Sequence, residues 1–177
     1  MKIKVWSLGI RVIRAAFLTI LYFPLTLSTL EGQTYFFEKL GVEQGLGSSK
    51  VYSIIQDRYD LIWLGTESGV SRFDGIQFRN YSSADGLAGS GVKTLEEDSL
   101  GRIWMGHLNG GLTIFDGSRF VKPKFRDITI DSDITEIKQF EGYLWLSTAR
   151  NGSIRTKMPA PGDSILTGKQ YRGGEGL

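Results

Sequence analysis

The side chains that do most protein chemistry are scarce in this sequence. His107 is the single histidine and cysteine is absent, which excludes thiolate and paired-imidazole metal sites and a disulfide framework. A hydrolytic triad would have to be built around His107 alone. That histidine stands where Thr66 and Thr148 stand in related stretches, so a turn or surface position is the simpler reading. Glu96 and Asp98 share one face of an extended segment and could serve as a general acid/base pair. Asp98, however, opens a turn, and Glu96 and Glu97 read as solvated charges. The string "NGG", Asn109 to Gly111, lacks the Lys-Ser/Thr that completes a phosphate loop. No catalytic residue, metal ligand or cofactor is expected.

The elements that would position any site repeat. Trp63, Trp104 and Trp145 are 41 residues apart, and the same spacing links Gly45 to Gly86, Leu46 to Leu87, Asp57 to Asp98 and Gly65 to Gly106. A repeat of about 40 residues, rich in β-formers, is the length of one four-stranded propeller blade. "KVYSIIQ" and "LIWLGT" are apolar on both faces, as inner strands between neighbouring blades must be. "GIQFRNY" alternates, with Ile76 and Phe78 on one face and Gln77 and Arg79 on the other, which suits an outer strand half in water. The expected fold is all-β: a propeller of four-stranded blades with about three present, preceded by an N-terminal signal helix.

The turns fit this frame. Asp98-Ser-Leu-Gly101 has the Asp and Gly positions of a type I turn; Asp60 replaces that glycine in the first unit, and Asp enters left-handed geometry more easily than most residues. Asp74-Gly75 and Asp116-Gly117 are hairpin signals between strands three and four. The tryptophans read as packing between blades. The third unit keeps Gly142, Leu144, Trp145 and Gly152, but "SIRTKMPAPG" stands where the Phe-Asp-Gly hairpin would be, and Pro159 and Pro161 cannot donate to an inner ladder. That unit therefore reads as worn. Repeats are expected at about 43–83, 84–124 and 125–168, with the start of a fourth at 171–177, all within a partial propeller over residues 33–177. The segment "TYFFEKLGVEQGL" reads as an outer strand and loop preceding a blade, so the chain is expected to be an N-terminal piece of a longer propeller.

Residues 1–32 differ in kind. Lys2, Lys4, Arg11 and Arg14 precede an uncharged stretch from Ala15 to Leu30, the pattern of an export signal cleaved after Gly32. The rival reading is an uncleaved membrane anchor. Without this segment the formal charge falls from +2 to −1, so nothing in the composition favours nucleic-acid binding.

The stretch "EQGLGSSKVYSIIQDRYDLIWLGTESGVSRFDGIQFRNY" resembles the two-component regulator propeller repeats, and the resemblance extends over about residues 43–152. It implies an exported sensor domain of a bacterial hybrid two-component system, periplasmic or tethered to the inner membrane. Such a domain would be a homodimer in its full-length receptor and would bind an oligosaccharide or another small periplasmic ligand. The kinase such receptors carry has no counterpart here. Glu67, His107, Asn109, Arg150 and Asn151 vary between otherwise similar units at the loops joining strands two and three. They are the ligand-binding candidates, because loops on a fixed scaffold tolerate variation. Two other classes stay open: a propeller lyase or glycosidase, to which "DSLGRIW" has a loose Asp-box likeness, and a protein-binding scaffold.

Overall fold

The computed structural model describes residues 37–173. The chain divides into two units, Met1–Glu38 and Lys39–Leu177, and all the described strands belong to the second. The expected signal segment and the last residues of the expected fourth repeat lie outside the described residues.

Three antiparallel four-stranded sheets follow one another along the chain. The first consists of β1 (Val51–Gln56), β2 (Ile62–Thr66), β3 (Gly69–Phe73) and β4 (Phe78–Tyr81). The second contains β5 (Val92–Glu97), β6 (Ile103–His107), β7 (Leu112–Phe115) and β8 (Phe120–Val121). A two-residue strand, β9 (Lys124–Phe125), then leads to the third sheet. There β10 (Ile134–Phe140), β11 (Tyr143–Thr148) and β12 (Ser153–Lys157) are joined by β14 (Gly168–Tyr171), while β13 (Ile165–Leu166) pairs in parallel with β9. The first strands β1, β5 and β10 are neighbours. The fold is an incomplete β-propeller of four-stranded blades, all-β among the described residues.

Burial follows from this stacking. β6 is buried along its whole length because the second sheet is covered on both faces. One core lies between the first and second sheets, around Trp63, Leu87, Leu95 and Met105. The other joins the second and third, around Trp104, Ile137, Leu144 and Ile154. Trp63 and Trp104 fill these two interfaces, whereas Trp145 is half-buried against Tyr171, ring centroids 5.8 Å apart. No sheet among the described residues packs on the Trp145 face. For the same reason β1 is not buried on both faces: Ile54 remains 64% exposed.

In the first two sheets the aspartate at the start of the turn between the first and second strands fastens the tryptophan six residues on. Asp57 accepts from the backbone of Tyr59 and Leu61 through Oδ1 and from the Trp63 indole through Oδ2 at 2.7 Å. Asp98 does the same with Leu100, Arg102 and the Trp104 indole, and also pairs with the Arg102 guanidinium at 2.6 Å. Burial opposes charge on Asp98, but the bonds from Trp104 and Arg102 outweigh it and hold its pKa below the usual carboxylate range. In the third sheet Gln139 stands at this position and bonds to Ser99 instead. Its turn is the shorter Glu141-Gly142, both residues at positive φ.

Asp60 and Gly101 occupy the same left-handed turn position, at φ 63° and 81°. Asp74 and Asp116 cap their hairpins by accepting backbone N–H groups two and three residues on. Two further expectations need correction. Ile76 sits in the hairpin turn before β4 and is 89% exposed instead of facing the core beside Phe78. The third sheet is not worn. Pro159 and Pro161 fall in the excursion between β12 and β14, outside any ladder, so four strands still pair.

Candidate functional site

The loops joining second to third strands, 67–68, 108–111 and 149–152, each fold onto the segment entering their own sheet. Glu67 N donates to Lys50 O at 3.2 Å, Leu108 N to Gly91 O at 3.1 Å and Ala149 N to Asp133 O at 2.9 Å. The repeated bond places these loops and the entry segments along one edge of the blades.

The candidate residues are distributed over that edge one blade at a time. Glu67 forms an exposed pair with Lys50 at 3.0 Å, which contributes little to stability. Asn109 is held at φ 58°, and its N–H donates to Asp133 Oδ1 at 2.9 Å, linking the second loop to the third blade's entry. Arg150 curls back, its guanidinium donating to Asp131 O at 2.9 Å. Asn151 accepts from Ser132 Oγ through its side chain and from Gln170 through its carbonyl. None of the clefts of about 680, 360 and 440 Å³ is lined by these residues, although the 360 Å³ cleft reaches Gly111 at the end of the second loop.

His107 is not at the surface. It is fully buried, with Nδ1 3.1 Å from Gly91 O and Nε2 2.8 Å from Thr113 Oγ1. A carbonyl can only accept, so this network assigns the proton to Nδ1, and Nε2 accepts from the Thr113 hydroxyl. Thr113 Oγ1 in turn accepts from Ala88 N at 2.9 Å. The imidazole thus anchors the 88–91 entry segment from below. The sequence reading missed this because the equivalent threonines, Thr66 and Thr148, instead donate to the carbonyls of Gly69 and Gly152.

Burial pushes the His107 pKa down to about 4; the bond to Gly91 opposes this, and Lys122 adds to it. The unfolded chain therefore takes up the proton first. The stabilisation is complete above the ordinary value near 6.5 and is lost as pH falls toward 4. The expected loss between pH 7 and 4 is about 3 kcal/mol. Urea denaturation across that range checks it: His107→Thr should flatten the slope, and an unchanged slope would contradict the assignment.

At the opposite edge, Glu96, Glu97 and Glu141 line the 680 Å³ cleft with Arg58, Ser99 and Gln139. The first two are paired, Glu96 with Lys138 at 2.8 Å and Glu97 with Arg58. No group of acids and His that could hold a metal occurs among the described residues.

This fold and edge define the class: a β-propeller whose variable loops share one edge. Residues 45–68 match the two component regulator propeller family model, so the chain carries that repeat. Three solved structures, all from B. thetaiotaomicron, are similar. One is the extracellular domain of a protein described as a hybrid two component system, 26% identical with a TM-score of 0.63, over 71% of this chain and 19% of that one. The others are extracellular domains described as belonging to a one component and a hybrid two component system. They are 19% and 20% identical, with TM-scores of 0.62 and 0.61, each over 81% of this chain and 22% of theirs. These two show the fold alone. The chain spans about one fifth of the length of the structures it matches. No curated protein matches it.

Proposed function

We propose that this chain is part of the exported, noncatalytic ligand-sensing propeller of a two-component signalling receptor. Its resemblance to the hybrid two component system's extracellular domain, 26% identical over 71% of this chain, carries the reading. The chain's division into residues 1–32, an export signal or membrane tether, and 33–177, a partial propeller with repeats near 43–83, 84–124 and 125–168, belongs to the same proposal. The ligand would lie across the loop edge, where Glu67, Asn109, Arg150 and Asn151 supply charge and amide groups above the segment that His107 anchors. Binding would shift the packing of neighbouring blades and pass through a receptor dimer to a kinase.

The test is binding of an oligosaccharide panel to the full chain and to Asn109→Ala and Arg150→Ala variants. Loss of about tenfold in affinity for whichever sugar binds is expected from either substitution. Unaltered affinity in both would place the ligand elsewhere.

A further inference from the structure

Two arginines face each other across the β3/β4 ladder, Arg72 opposite Arg79, and like charges directly opposite on neighbouring strands disfavour the sheet. Neither guanidinium has a side-chain hydrogen bond or ion pair among the described residues, and Asp74 and Asp85 act on Arg72 and Arg79 only by attraction at longer range. Arg72 lies over the Trp63 and Tyr81 rings and Arg79 over Tyr81, at 5.2 to 5.9 Å. Those contacts account for the place of Arg72, but Arg79 remains exposed. The second blade has the apolar pair Ile114 and Val121 at the corresponding register, so a blade does not need two cations there.

The second blade instead contributes a third arginine. Arg72, Arg79 and Arg119 line one cleft of about 440 Å³, with Tyr81, Phe115 and Phe120 among its walls. The only acid lining it is Asp85, whose Oδ2 is committed to the Ser82 backbone and hydroxyl at 2.8 and 3.0 Å. Arg119 reaches Asp116 only at 3.5 Å, and its side chain is 74% exposed. Three guanidinium forks with unused donors on an aromatic floor match a planar or tetrahedral oxyanion.

We propose that this cleft, between the outer strands of the first two blades and separate from the loop edge, binds a small ligand bearing a carboxylate or sulfate group. The test is calorimetric titration of the full chain with digalacturonate, a sulfated monosaccharide, inorganic sulfate and neutral cellobiose. Saturable binding of at least one anionic probe is expected, weakening several-fold as salt is raised from 50 to 500 mM. Which probe binds best distinguishes a carboxylate from a sulfate ester or the free ion. The exposed double substitution Arg79→Gln/Arg119→Gln should weaken that binding at least tenfold, while Arg126→Gln/Lys157→Gln, the same loss of two charges at exposed sites outside the cleft, should not. Absence of anion binding, equal binding of cellobiose, or a double variant that binds as well as the parent would each overturn the proposal.

Discussion

Replacing Asp98 with alanine is expected to destabilise the protein by about 3–5 kcal/mol, the range for removing one partner of a buried ion pair. The substitution orphans the Trp104 indole and the backbone N–H groups of Leu100 and Arg102 together. It also leaves the Arg102 guanidinium, whose side chain is 8% exposed, with Pro159 O as its remaining hydrogen-bond partner. Because Pro159 lies in the excursion before β14, the damage extends from the second blade to the third. Asp57→Ala supplies the comparison. Leu61 stands where Arg102 stands, so no buried charge is exposed and about 2 kcal/mol is expected from the lost bonds. Urea denaturation of both variants measures the difference. Equal losses would mean that the arginine adds nothing to the clamp.

Gly106→Ala is the second large effect, at about 1–3 kcal/mol or more. A Cβ there would lie 2.7 Å from Cγ2 of both Ile134 and Thr94, forcing apart the second and third blades where β6 meets β10. Gly65 is the same position one blade earlier, and its added Cβ would come within 2.8 Å of the Val92 carbonyl. A backbone oxygen cannot swing aside as a side chain can, so Gly65→Ala should cost at least as much. The third blade has Ser147 here, half-buried. Ser147→Ala should shift stability by no more than about 0.5 kcal/mol. Thermal melting of the three variants separates close inter-blade approach from any general intolerance at the position.

The blades were legible because their spacing is covalent information: 41 residues between tryptophans, with an aspartate six residues before two of them. The hairpins at Asp74-Gly75 and Asp116-Gly117 were legible because turn geometry constrains residue type locally. The third blade was misread because proline forbids a ladder position without revealing that the chain will loop out and return. The pairing of β13 with β9, residues 124–125 with 165–166, leaves no local pattern at all. His107 was misplaced because its environment depends on Thr113 and Gly91, neither marked as a partner by spacing. The arginine cleft had one readable signal: a hairpin centred on Asp74-Gly75 sets Arg72 opposite Arg79. Its third member, Arg119, comes from the next blade, and only blade packing unites them.

The most direct test of the account is calorimetry of the full chain against neutral and acidic oligosaccharides, with product analysis on the same samples. Saturable binding that leaves the sugar intact is the expected result for a sensing propeller. Cleavage or elimination of a bound sugar would identify an enzyme and contradict the account.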